Sequence, residues 1–365
     1  MEEKKKGKSH ISFKIFILIL LGILLFFLKE ENQKKFIQFI DRTTLMSLEP
    51  MIEDSIFIGE DIEQVFAYEE GIILWKENQI SKLSLDGSKE WEREFVFEET
   101  GISVGKTYIY IYEKPSGIIH FLDNKGETIH RVDIETSIMN LVENIDNILV
   151  HFKGTNGEGI CILDMEGNIV DSSIVSNRNI LTFSVDDEGD LTYLVSSLDL
   201  GKDAIKSHVE VFKKGEQSQL DKEFKDEIIF YSNFIHRDKI LIMTDKSIYM
   251  LKNEDILWER EFQLIKDIYI DRTKIYVLYG NTLETISRDG ITQEKISFTE
   301  EYKNILPFNG YLIVYGDEYI MGLNRGEELF KYKSDKDVLK LIGGTENLIL
   351  VYSDKIELMK FNKKI

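Results

Sequence analysis

Histidine, cysteine and clustered carboxylates are the side chains that most often do chemistry, and in this chain they are few and scattered. The six histidines include no His-x-His or His-x-x-x-His pair, the spacings that turn two imidazoles toward one metal ion. His120 and His130 fall on consecutive predicted strands and could approach each other, yet a solvated or hydrogen-bonded imidazole suits each better. Cys161, the one cysteine, lies in the apolar run GICIL and reads as a small buried hydrophobe, with no intramolecular disulfide to form. Asp186–Asp190 (DDEGD) gathers hard oxygens that could hold Ca²⁺, but it lacks the spaced ligands of an EF-hand and reads as a hairpin turn. Ser103–Lys106 matches Ser-x-x-Lys, whose serine opens a helix in penicillin-binding enzymes; here it stands between predicted strands. GTNGEG, from Gly154, is glycine-rich, but no helix follows to aim N–H groups at a phosphate. These residues assign no catalytic, cofactor-binding or metal site.

What the spacing does define is architecture. The pentapeptide WEREF occurs at Trp91–Phe95 and again at Trp258–Phe262, each time after a turn that follows two short apolar strands. Aligned on that outline, the chain falls into eight units opening with GIILW, TYIYIY, NILVHF, DLTYLV, KILIM, KIYVLY, YLIVYG and NLILVY. Each runs strand, tight turn, strand, then in most units a turn such as Asp86-Gly87 or Asp289-Gly290, then strand. A spacing of about 35–50 residues is that of β-propeller blades. A further apolar segment precedes four of the first strands, at 138–142, 181–185, 265–270 and 338–342, giving four strands per blade. The expected fold is all-β, a propeller of four-stranded blades: eight of them, or seven if the fourth unit with its insertion SSLDLGKDAIKS is mis-parsed. The last unit lacks a fourth strand. SIFIG, Ser55–Gly59, has no other partner and is predicted to supply it, closing the ring.

Composition agrees with a sheet-rich, well-packed domain: 43% hydrophobic residues and only three prolines, whose missing N–H breaks strand ladders. The 16 tyrosines and 22 phenylalanines mostly occupy strand positions and read first as core or inter-blade contacts. The net charge is −20, and it is uneven. Within 1–28, five lysines against two glutamates leave +3, so the remainder carries −23. Such a surface repels phosphates, which argues against nucleic acid as a partner. Ile15–Leu28, IFILILLGILLFFL, is uncharged and apolar on every side. On an insertion scale it gains roughly 4–8 kcal/mol, and a helix from Ile11 would be about 27 Å long, near the hydrocarbon thickness. A signal peptide would end in small residues, whereas this run passes directly into KEENQKKF. The expected organisation is therefore a cytoplasmic tail (1–10), a transmembrane helix (11–28), a stem (29–54) and a propeller (55–365). The lysine-rich tail puts the N-terminus in the cytoplasm and the propeller outside the cell membrane.

LSLDGSKEW, Leu83–Trp91, resembles the repeat of pyrroloquinoline-quinone-like propellers, in which an apolar strand meets an Asx/Thr-Gly turn and a Trp follows to pack between blades. MLKNEDILW, Met250–Trp258, is a degenerate copy without the Gly, and VDDEGDLTYL from Val185 resembles an Asp-rich hairpin of other propellers. The resemblance implies Trp91 and Trp258 as structural repeat residues. It spans nearly all of 55–363, and with the lysine-rich tail and apolar span it resembles a family of membrane-anchored propellers of clostridia and related bacteria, to which no activity attaches. Quinone chemistry would need a metal site and, in many of those enzymes, adjacent cysteines; Cys161 is alone. The expected function is a binding or scaffold module with no cofactor, tethered to the lipid bilayer and taking a protein, peptide or envelope ligand. The rival is a propeller enzyme acting on a small molecule or glycan, with channel carboxylates converging within about 5–10 Å.

Overall fold

The computed structural model describes residues 26, 48–59, 62–186, 191–201, 204–216, 218–236 and 238–363. They form eight four-stranded antiparallel sheets. The blades are 64–94, 100–133, 137–175, 179–225, 229–261, 265–297, 304–333, and an eighth made of 340–363 with Leu48–Phe57. The eight-blade count holds, and the seven-blade alternative falls. Of the predicted N-terminal regions, the tail, the transmembrane helix apart from Phe26, and 29–47 of the stem lie outside the described residues. Among the described residues no helix is long and apolar enough to cross a membrane.

Within the first seven blades the strands follow chain order from the channel outward; in the eighth, 340–343, 348–351 and 355–363 do so and Leu48–Phe57 is added outermost. The first strands of neighbouring blades contact one another, as 137–143 does 100–104 and 304–308 does 265–270. The two middle strands are buried on both sides, which is why they read as continuous apolar runs: in Asn147–Gly154, five consecutive residues are buried. Outer strands alternate instead; Lys89–Glu94 and Thr128–Asp133 turn every second residue to solvent. Eight apolar clusters each join the facing sides of two neighbouring blades. The core is therefore a ring of seams. Cys161 lies in one of them, its thiol pushed up to about 11 first by burial and then by Asp171.

Two elements differ from the sequence reading. SSLDLGKDAIKS is no insertion: Thr192–Leu200 and Ile205–Lys213 are nine-residue strands in continuous register, so the fourth blade has a lengthened hairpin. Alternation alone did not reveal it, because Ser196 and Ser197 are polar yet wholly buried. The closing strand is also longer than SIFIG, running from Leu48 to Phe57, with Leu48 and Ile52 packed into the seam between blades 7 and 8.

That strand pairs antiparallel with 355–363 as the outermost strand of blade 8, from Leu48↔Lys363 to Phe57↔Lys355. The ring is thus shut by hydrogen bonds between the two ends of the domain. Leu48 sits on the face that carries the turns leading from first to second and from third to fourth strands, here called the turn face. Deleting 48–57 should expose the edge of 355–363 and open the ring. The expected outcome is a lower melting temperature and aggregation of the full chain; a variant that melts like the intact protein would rule out this closure as a stabilising element.

Candidate functional site

Blades radiate from the channel, so each seam widens toward the rim and must be filled there by long side chains. The register identifies the filler. In blade 1 the cross-strand row is Phe66–Ile73–Lys82–Trp91, and in blade 5 it is Asn233–Leu241–Met250–Trp258. Both indoles lie half-buried over the third-to-fourth turn of the next blade. Trp91 Nε1–H donates to Asn124 O at 2.8 Å and Trp258 Nε1–H to Arg288 O at 2.9 Å. Gly126 (φ +76°) and Gly290 (φ +78°) admit this approach, since a Cβ there would stand 2.8 Å from the indole. Two residues on, Arg93 and Arg260 reach the Gly126 and Gly290 carbonyls and the Thr128 and Thr292 hydroxyls. Each guanidinium also lies over the phenylalanine that ends its own WEREF, at 5.2 and 5.3 Å.

Behind the two clasps the same lattice position differs. In blade 6 it is Glu284, fully buried, with Arg260 at 2.8 Å, Lys295 at 3.1 Å and the Tyr279 hydroxyl at 3.0 Å. Burial pulls its carboxyl up, but hydrogen bonds from Thr292, Lys295, Arg260 and Tyr279 outweigh it and hold it below the usual range. In blade 2 it is His120, ringed by Phe95 and Phe97 at 5.6 Å. Burial first, then Arg131 and Arg93, push His120 below the ordinary imidazole range.

In blade 6 the row facing blade 7 is Tyr269–Tyr276–Thr285–Glu294. Glu294 stands where the other two rows carry Trp, close over Gly326 of blade 7 (φ +80°). Thr285 is shorter than Met250 or Lys82. The rim of this seam is consequently unfilled, and a cleft of about 460 Å³ opens on the turn face. Its inner wall is Tyr269 stacked near Tyr276 (5.9 Å, 19°), and its far wall is Phe308 and Tyr311 of blade 7. Lys274, Glu294 and Arg325 line it and have no ion-pair partner among the described residues. Asp271 is engaged: it accepts the Lys274 and Thr273 N–H groups at 2.6 Å and the Tyr276 hydroxyl at 3.3 Å. Tyr276 is pushed up to about 12, first by burial and then by Asp271, and stays a neutral donor. A second cleft, of about 570 Å³, opens on the same face between blades 4 and 5, where Lys222 Nζ donates to Glu254 O at 3.0 Å in the manner of the indoles.

The other residues singled out in the sequence do not converge. His120 faces blade 1, whereas His130 lies against Tyr108 and Phe121 on the opposite side of its sheet. Ser103 is on the first strand of blade 2, and Lys106 follows in its turn, where Glu143 binds the Lys106, Thr107 and Tyr108 N–H groups. GTNGEG is a hairpin with Gly154 opposite Gly157. Of Asp186–Asp190, the last four lie outside the described residues. Among the described residues no His, Cys, Asp or Glu cluster could hold a metal ion. Glu210 and Asp221 are cross-strand neighbours in blade 4. Glu210 is raised by burial, but Arg178 lies 2.9 Å from it, His208 lies 2.9 Å from Asp221, and neither carboxylate lines either cleft. Sequence reading missed the 6/7 cleft; aligning the outer strands KEWERE, DILWERE and TQEKIS shows the Trp, Trp, Glu substitution that makes it.

The chain resembles BamB from Moraxella catarrhalis (13% identity, 86% of this chain and 100% of that one, TM-score 0.58). It also resembles Saccharomyces cerevisiae Sqt1 (12%, 88% and 100%, TM-score 0.60) and the Dos1 propeller (11%, 85% and 95%, TM-score 0.58). At such identities the likeness is one of fold. No curated protein matches the chain. Residues 52–361 match a family described as "Family of unknown function (DUF5711)".

Two outcomes follow from the clasps. Trp91→Ala and Trp258→Ala each remove a half-buried indole and its hydrogen bond and should cost about 2 kcal/mol, with Trp→Phe costing about 1 kcal/mol; urea unfolding of the full chain measures both, and unchanged midpoints would exclude the clasps as stabilising contacts. His120, lowered in the fold, contributes stability that is present above its unfolded pKa of about 6.5 and lost as pH falls toward its folded value. His120→Leu should flatten that acid limb of the stability curve, and a limb of the same steepness would clear His120 of the effect.

Proposed function

The chain belongs to the DUF5711 family of unknown function, and we propose that it acts as a membrane-tethered, extracytoplasmic binding or scaffold module for a protein partner, with the cleft between blades 6 and 7 as its receiving site. The observation that carries this reading is the cleft itself. Its 460 Å³ lie in the size range of binding pockets, and it joins an aromatic floor to unpaired charges of both signs at the rim. The tether rests on the uncharged run Ile15–Leu28 and the lysines before it. Because Leu48 enters blade 8 on the turn face, a tether attached there would hold that face, and the cleft with it, toward the bilayer.

A photo-crosslinking residue placed at Tyr311 in living cells should capture one discrete protein, while the same residue at Lys114, on the opposite face, should not. Capture from Lys114 alone, or from neither, would remove the cleft as the docking site. Protease added to intact cells should digest the propeller; a protected domain would reverse the orientation.

A further inference from the structure

The wall that blade 6 turns to the 6/7 cleft is one cross-strand row whose chemistry changes along it: Tyr269 and Tyr276, then Thr285, then Glu294 at the rim. The two tyrosine rings are nearly parallel, 19° apart, and Phe308 and Tyr311 of blade 7 line the cleft across from them. Thr285 is only 3% exposed, yet its hydroxyl has no hydrogen-bond partner among the described residues. A buried hydroxyl left this way costs free energy that a ligand group bonding to it would recover. At the mouth stand Lys274 and Arg325 as well as Glu294, none with an ion-pair partner among the described residues.

These groups narrow the class of ligand. A simple ion of either sign meets a like charge at the mouth. A wholly apolar ligand would leave Thr285 and three charges desolvated against it. A pyranose ring has two C–H faces and a girdle of hydroxyls, each of them both donor and acceptor. It therefore suits aromatic walls, an unpaired hydroxyl and charges of both signs at once.

Resting on the reading of this cleft as the receiving site, we propose that the group it receives is a sugar ring of a glycan. A C–H face of the ring lies against the aromatic walls, one hydroxyl pairs with Thr285, and the others meet Glu294, Lys274 and Arg325. The ring comes on a glycosylated partner protein or in a free polysaccharide; the chemistry recognised is the same.

The test is to titrate the full chain in detergent with neutral, N-acetylated and uronic-acid oligosaccharides, following heat and the NMR saturation passed from protein to sugar. At least one class should bind, with saturation strongest on its ring C–H protons. Thr285→Val keeps the shape and removes the unpaired hydroxyl; it should melt no lower than wild type and bind about tenfold more weakly, with Thr285→Ser restoring affinity. Tyr311→Ala should weaken binding at least as much. A sugar that binds wild type, Thr285→Val and Tyr311→Ala alike sits elsewhere and overturns the inference. Photo-crosslinking from Tyr311 separates the sources. A captured protein that is lost when its glycans are removed beforehand supports a glycoprotein, and binding of protein-free polysaccharide with no protein captured supports the free polymer. Capture that survives deglycosylation, with no oligosaccharide bound, overturns the inference and leaves the cleft as a protein-docking site. Neither sugar nor protein overturns both.

Discussion

Every sheet in this ring is held by the faces of its two neighbours, and the space between those faces is a wedge. On the second strands β-branched residues fill the gap; Ile72, Val150 and Val277 are fully buried there. Toward the rim the same gap can be filled only by side chains long enough to bridge it, or by polar groups that carry a bond across. The structure uses both. Glu143 binds three consecutive N–H groups of blade 2 and the Tyr110 hydroxyl, while Asp267 and Glu158 each take a backbone N–H from the following blade. A buried carboxylate that accepts several N–H bonds is satisfied where it stands, so such pins fix the relative height of two sheets as apolar contact alone does not.

Closure turns these pairwise contacts into one cooperative object. With eight seams and eight blades, each sheet packs against two neighbours, and the ring closes in blade 8, assembled from both ends of the domain. Lys340 reinforces the neighbouring joint by donating to Val65 O and lying over the Phe66 ring, in spite of the burial that lowers its basicity.

How much of this was legible depended on burial. Strands buried on both faces, such as GIILW and NILVHF, were visible as apolar runs, and with the paired turns they determined blade number and closure. First strands were legible in only half the blades. Gln64–Tyr68, Thr100–Val104 and Asn304–Phe308 are short or mixed, and Ile229–His236 carries bulges at Ile229/Tyr231 and Phe234/His236 that break the period of two. The cleft was hidden for another reason. Glu294 sits in TQEKIS and looks like any solvated glutamate, and Tyr269 and Tyr276 look like core aromatics; only the cross-strand row makes the three into one wall.

Repetition here marks the bonds that must stay alike, and a broken repeat marks what is free to differ. WEREF occurs in blades 1 and 5, half a turn apart in a ring of eight, and in both it makes the same indole and guanidinium contacts. What lies behind it is not repeated: a buried glutamate neutralises Arg260, whereas a histidine kept neutral sits beside Arg93. The motif therefore specifies its own seat and tolerates either neighbour, because the bonds that define it run to backbone carbonyls and to a turn glycine. An array built on such seats can lose one without losing the ring, since seven other seams and the closing strand still hold it. In seam 6/7, where Glu294 holds the row position that Trp91 and Trp258 hold in theirs, the fold opens a cleft lined by aromatic and charged side chains on the turn face.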